Sequence, residues 1–185
     1  MIKNLLIALA VIVAGGVVLV YLDATSYVAG LVVLGIAVFF GLQRMSGNRG
    51  EVRVDDASRE SSLNAVVPAG QALLYIYRDG ITGKLVGWNV SLDGAALAQL
   101  KSPRFTQTTL GPGSHTLAVN AGASQNKPAE ARFEAQPGEV IVFAMKLGAF
   151  NNALSFVREP DTSSALQKLS KMPMVAAEGA SGTAA

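Results

Sequence analysis

Glu130-Ala131-Arg132-Phe133-Glu134-Ala135-Gln136-Pro137-Gly138-Glu139-Val140-Ile141-Val142-Phe143-Ala144-Met145-Lys146-Leu147 is the stretch that decides the fold. Its first half alternates, with Ala131, Phe133 and Ala135 set against Glu130, Arg132, Glu134 and Gln136. A period of two with one apolar and one charged side is the pattern of a half-buried β-strand. Pro137-Gly138 supplies turn chemistry. Val140 to Leu147 is then apolar at nearly every position, which places it at the centre of its sheet.

Working outward from this pair, the same period recurs along the chain. Ala72 to Arg78 sets Leu74 and Ile76 against Leu73, Tyr75 and Tyr77, and Trp88, Val90 and Leu92 alternate with Asn89, Ser91 and Asp93. Thr-rich Phe105 to Leu110, the run around Leu117, Val119 and Ala121, and Ala153 to Val157 complete the set. Asp79-Gly80, Asp93-Gly94, Gly111-Pro112-Gly113 and Pro137-Gly138 punctuate these runs at short intervals. About seven short, mostly antiparallel strands so spaced predict an all-β sandwich over residues 68–158. A helix is expected over 159–174, capped by Asp161, with Leu166, Leu169 and Met172 at helical spacing and Pro173 as its stop. The tail, 175–185, is Ala, Gly, Ser and Thr with one Glu178, a composition expected to be disordered.

The N-terminal quarter has a different composition. Leu5 to Leu22 is an unbroken apolar run of about 27 Å as a helix, close to the roughly 30 Å hydrocarbon core of a bilayer. Asp23-Ala24-Thr25-Ser26 interrupts it, and Tyr27 to Leu42 is a second run of about 24 Å. Tyr21 and Tyr27 flank the break, where interfacial aromatics belong. The expectation is a transmembrane helical hairpin over 1–42, with spans 4–22 and 27–42, anchored in the inner (cytoplasmic) membrane as a multi-pass protein and contacting the lipid bilayer through residues 4–42. Lys3 before the first run, and Arg44, Arg49 and Arg53 after the second, place both ends and the β-domain in the cytoplasm by the positive-inside rule. A periplasmic domain is the alternative, and it needs an inverted hairpin or a single span. Residues 43–67 read as a polar linker whose alternating charges cancel, with no apolar face to fix a helix.

Composition excludes several classes of function. The 185 residues contain no cysteine, so disulfides, thiolate metal sites, cysteine nucleophiles and lipidation at a cysteine are all ruled out. The formal net charge of +2 gives no electrostatic footprint for nucleic acid. One histidine cannot build a zinc site without several carboxylates, and the acidic residues are scattered singly over predicted turns.

Four segments together resemble the DUF2846 family of bacterial proteins: Leu74-Tyr75-Ile76-Tyr77-Arg78, Val90-Ser91-Leu92-Asp93-Gly94, Leu110-Gly111-Pro112-Gly113-Ser114-His115-Thr116-Leu117 and Gln136-Pro137-Gly138-Glu139. The resemblance covers about residues 69–158. It implies a small sandwich of prealbumin-like or PEGA-like appearance with no established activity, in proteins that are often envelope lipoproteins. This chain departs from that pattern in lacking a lipid-acceptor cysteine.

A Ser-His-Asp arrangement would have to use His115. Its place after a Pro-Gly turn gives it a structural role, together with Gly111, Pro112 and Gly113. Gly113 suits a turn that needs positive φ, and no lysine follows at the spacing of a phosphate loop. Trp88 falls in the core by its alternation. Tyr75 and Tyr77 share a face with Leu73, and are either packed or, with Arg78, a contact surface at a sheet edge. The expected function is therefore a non-catalytic, membrane-anchored binding or scaffolding module with a protein partner, no cofactor, no metal and no small-molecule substrate. The alternatives are a subunit of a larger membrane complex that docks through its hairpin, and a hydrolase using His115.

Overall fold

In the computed structural model the described residues are 24–45, 48, 52–80, 84, 86–120, 128–148 and 153–178. The chain divides into two units, Met1–Ser46 and Gly47–Ala185. The first contributes one described element, α1 (Ala24–Met45). The second contains α2 (Asp56–Leu63), β1 (Ala72–Arg78), β2 (Trp88–Leu92), β3 (Ala95–Leu100), β4 (Arg104–Leu110), β5 (Gly113–Asn120), β6 (Ala129–Ala135), β7 (Val140–Leu147), β8 (Leu154–Arg158) and α3 (Thr162–Leu169).

The N-terminal expectation is corrected. Among the described residues no helix is long and apolar enough to cross a membrane. Helix α1 spans Ala24–Met45. The two-span hairpin and the multi-pass inner-membrane location built on it are therefore not supported, and the first run, 4–22, lies outside the described residues. Leu31, Val32, Val33, Ile36, Phe39, Phe40 and Leu42 of α1 are each half or more exposed.

The second unit is mostly β. One sheet has the order β4-β1-β7-β8 and the other β3-β2-β5-β6. Every pairing between the strands is antiparallel except β1 with β7, which runs parallel from Leu73↔Val140 to Arg78↔Met145. The inner faces enclose Leu74, Ile76, Val90, Leu117, Val119, Ile141 and Phe143. A second cluster lies on the other side of the first sheet, where Leu73, Tyr75, Tyr77, Phe105, Val142 and Ala144 pack with Ala165, Leu169, Met172 and Met174. The first sheet is thus buried on both faces. That is why β1 is buried at all seven positions and why β7 is apolar without alternation.

Eight strands form where about seven were expected. The added one is β3, whose Ala-Ala-Leu-Ala-Gln-Leu carries no β-propensity signal. Its turn specifies it instead: Asp93 (φ 52°) and Gly94 (φ 82°) both adopt positive φ, the geometry of a two-residue type I′ hairpin. A bulge between Val90 and Ser91 then brings the extra residue Leu97 into the core.

The segments read as linker and tail pack on this body. Asp55 caps α2 by accepting from the Ser58 N–H at 2.8 Å. Val54, Leu63 and Val67 lie against the second cluster, and the Tyr75 hydroxyl donates to the Ser62 carbonyl at 2.6 Å. Tertiary contact, not an amphipathic stripe, holds this short helix. Helix α3, capped by Asp161 through the Ser164 N–H at 3.1 Å, buries Ala165 and Leu169. It stops at Leu169, short of the expected end at 174, and the chain continues extended. Val175 N–H donates to the Phe105 carbonyl at 2.8 Å, Val54 N–H to the Met174 carbonyl at 3.1 Å and Glu178 N–H to the Leu97 carbonyl at 2.6 Å. Val175 and Ala177 are buried. The expectation of disorder from 175 onward is therefore corrected for 175–178: this stretch ties the β4 edge, residues 52–54 and β3 together, and its backbone bonds and buried side chains offset the cost of ordering it. Residues 179–185 lie outside the described residues.

Leu169 is fully buried, so Leu169→Ala is expected to lower unfolding stability by about 2–5 kcal/mol. A urea titration followed by far-ultraviolet circular dichroism measures this as a lower midpoint with unchanged slope.

Candidate functional site

His115 lies on β5 opposite Phe133 of β6, its ring 5.7 Å from the Phe133 ring. Phe133 continues into Phe143 at 5.2 Å and Phe143 into Phe156 at 6.1 Å, an edge-to-face row through the core. His115 therefore stands at the end of an aromatic stack. Its Nδ1 is 2.6 Å from Asp93 Oδ2 and its Nε2 is 2.9 Å from the Gly111 carbonyl. Asp93 Oδ1 also accepts from the Thr116 N–H at 2.8 Å. One ring thus ties the β2–β3 turn to the β4–β5 turn, and Gly113 (φ 127°) gives the second turn the backbone it needs.

The electrostatics follow from the partners. A backbone carbonyl only accepts, and so does a carboxylate, so this geometry favours the protonated ring, in which both nitrogens donate. The hydrogen bond that His115 donates to Asp93 raises the His115 pKa above its usual 6.5, reinforced by the Gly111 carbonyl and the charges of Asp93 and Glu134, against the opposing effect of burial. The hydrogen bond from His115 and the Thr116 N–H lower the Asp93 carboxyl below its usual 3.8. The sequence signalled Asp93 only as a turn residue. Its reach across to β5 depends on β2 lying beside β5 in the sheet, which no local pattern encodes.

The proposed contact surface at Tyr75, Tyr77 and Arg78 is corrected, since all three are buried. Helices α2 and α3 and the extended C-terminal segment cover the face on which the two tyrosines lie. Tyr77 donates to Glu159 Oε1 at 2.5 Å, and Lys168 of α3 sits 4.7 Å over its ring while pairing with Asp79 at 2.9 Å. Burial raises the Tyr77 pKa, and the hydrogen bond to Glu159 adds to it. Arg78 stacks its guanidinium 3.7 Å over the Trp88 ring and donates from Nη1 to the Val86 carbonyl at 2.5 Å and the Leu100 carbonyl at 3.2 Å. Desolvation lowers its pKa to about 10, which still leaves it charged at neutral pH.

Two concavities stand out among the described residues. A shallow depression of about 320 Å³ lies along the second sheet, lined by Asn89, Ser91, Ala96, Ala118, Asn120 and Glu130 among others. A cleft of about 250 Å³ lies at the far ends of β1 and β7, bounded by Arg78, Asp79, Gly80, Trp88, Met145, Lys146 and Leu147. Among the described residues, no group of three or more His, Asp or Glu side chains is placed to hold a metal ion. Compared with known proteins, the chain matches no family model and no curated protein.

The clip between His115 and Asp93 makes stability depend on pH in a definite direction. His115, with its pKa raised in the folded state, contributes fully below 6.5 and loses that contribution as pH rises through the folded value. Asp93, with its pKa lowered, contributes above 3.8 and loses it as pH falls through the folded value. The difference in melting temperature between the wild type and His115→Ala is therefore expected to be largest between pH 3.8 and 6.5. It should narrow on either side, as read by calorimetry across a pH series.

Proposed function

We propose that the β-domain is a non-catalytic binding or scaffolding module whose partner is a protein. The state of His115 carries this reading. A general base needs a ring nitrogen with a free lone pair, and both nitrogens here face acceptors that require their protons. An Asp partner alone would suit a hydrolytic triad, but the Gly111 carbonyl occupies the position that a nucleophile's hydroxyl would need.

The outer side of the second sheet supplies the surface. Ala96, Asn120, Glu130 and Glu134 are exposed there, whereas the outer face of the first sheet lies under α2, α3 and the C-terminal segment. The proposal includes the resemblance to the DUF2846 family over about 69–158. In its support, Asp93-Gly94, Gly111–Gly113 and Pro137-Gly138 fall at strand ends and turns, where backbone geometry rather than chemistry constrains residue type.

Two measurements test the reading. Nitrogen NMR of His115 at pH 6 is expected to show both ring nitrogens protonated, and an unprotonated Nε2 would restore the hydrolase alternative. A photo-crosslinking residue placed at Ala96 or Asn120 in the full chain is expected to trap one adduct of defined mass in cells, and one placed at the buried Thr106 none. Absence of an adduct at both exposed positions would overturn the assignment of this face.

A further inference from the structure

Among the described residues the two sheets end on β4 and β8 in the first and on β3 and β6 in the second. An edge strand presents unpaired backbone groups, and proteins cover such an edge, shorten it or distort it. Three of these edges are treated in that way. At β4, the Phe105 N–H donates to the Pro173 carbonyl at 3.2 Å, and the Phe105 carbonyl accepts from the Val175 N–H at 2.8 Å. At β3, the pairing with β2 is broken by a bulge, and the Leu97 carbonyl accepts from the Glu178 N–H at 2.6 Å. Strand β8 is short, at five residues. Strand β6 differs. It runs for seven residues, Ala129–Ala135, in unbroken register with β5 and without a proline. Among the described residues no backbone hydrogen bond reaches it from outside that pairing.

The side chains of β6 indicate what this edge can meet. Ala131, Phe133 and Ala135 lie on the core side, and Glu130, Arg132 and Glu134 are exposed on the other. None of these three charged residues is in an ion pair among the described residues. Opposite charges facing each other across two strands stabilise the pair, and like charges destabilise it. Antiparallel pairing of β6 with its own copy keeps the core-side residues together when it is centred on Ala131, Arg132 or Phe133. Centred on Arg132, it sets Arg132 against Arg132 and Glu130 against Glu134, so every charge meets its like. Centred on Ala131, it sets Glu130 against Arg132 but leaves Glu134 opposite Pro128, which has no N–H to donate. Centred on Phe133, it sets Arg132 against Glu134 twice and Glu130 against the Gln136 amide, a hydrogen-bond donor. On the core side the same register sets Ala131 against Ala135 and Phe133 against Phe133, apolar against apolar.

We infer that β6 pairs antiparallel with β6 of a second copy of this chain, about a two-fold axis at Phe133, joining the two second sheets into one. The contact is isologous, so each favourable pair occurs twice and the assembly closes as a dimer. Ala96 lies on β3, at the far edge of the sheet, so this interface leaves the proposed partner face open at that strand.

Sedimentation velocity of the full chain over a concentration series tests the inference. The wild type is expected to reach twice its chain mass of 19.2 kDa. Arg132→Glu and Glu134→Arg, both at exposed positions, each set like charges opposite one another and are expected to weaken self-association roughly tenfold or more. Two recoveries are then expected: in the double variant Arg132→Glu with Glu134→Arg, and in an equimolar mixture of the two single variants, where one copy carries two acids and the other two bases at these positions. Recovery also shows that the single variants are folded. The inference is overturned by a wild type that stays at the mass of one chain, by single variants that associate as the wild type does, or by failure of both recoveries. Loss of association in Arg132→Glu but not in Glu134→Arg also overturns it, because that is the pattern of pairing about Ala131. Crosslinking from Ala96 is independent of all these results, so the two readings fail separately.

Discussion

The parallel pairing of β1 with β7, buried on both faces, is the constraint on which the rest of this fold depends. Parallel neighbours cannot be joined by a tight turn and require a long crossover. Here the crossover is the chain between Arg78 and Val140. It returns once to the first sheet as β4 and otherwise builds the entire second sheet. Double burial then demands two covers. The second sheet provides one; α2, α3 and the extended segment near Val175 provide the other. Burying a Leu or Phe side chain of this ribbon stabilises the fold by about 1.5–3 kcal/mol, and both layers exist to make that burial complete.

Covering both faces also encloses polar groups, and the structure provides for them individually. The Thr106 hydroxyl, fully buried, donates to the Val175 carbonyl at 2.9 Å. The Tyr75 and Tyr77 hydroxyls reach Ser62 and Glu159. Arg78 finds carbonyls and an indole face. A buried polar group without a partner costs about 1–3 kcal/mol, so these bonds also specify how the outer elements sit. Helix α3 is positioned by Lys168 as much as by its two buried apolar residues.

The two ends of the sandwich are built differently. At the His115 end, an imidazole ring and a carboxylate satisfy each other and lock two turns. At the Arg78 end, a guanidinium held by two backbone carbonyls and stacked on Trp88 floors a concavity. At the first end both nitrogens of the ring are engaged by acceptors. The difference lies in which partners the tertiary structure brings to each end.

The strands could be read from the sequence wherever burial is one-sided or turn chemistry is explicit. Alternation marked β6 around Phe133, the unbroken apolar run marked β7, and Asp93-Gly94 and Gly111-Pro112-Gly113 marked their turns. Asp161 marked the start of α3. β3 was hidden because its alanines carry no pattern, and α2 and the tail through Glu178 were hidden because what orders them is contact with residues distant in sequence. Tyr75, Tyr77 and Arg78 were ambiguous for the same reason, since period two fixes which face a side chain occupies but not whether something covers that face. The apolar runs 4–22 and 27–42 read as two membrane spans, whereas among the described residues no helix is long and apolar enough to cross a membrane. The sequence alone thus determined the all-β character, the turn positions and the absence of cysteine chemistry, because these depend on residues close together in the chain. Only the tertiary structure decided that the first sheet is covered twice, that Asp93 pairs with His115 and that Arg78 floors a cleft, because each joins residues whose proximity comes from strand order.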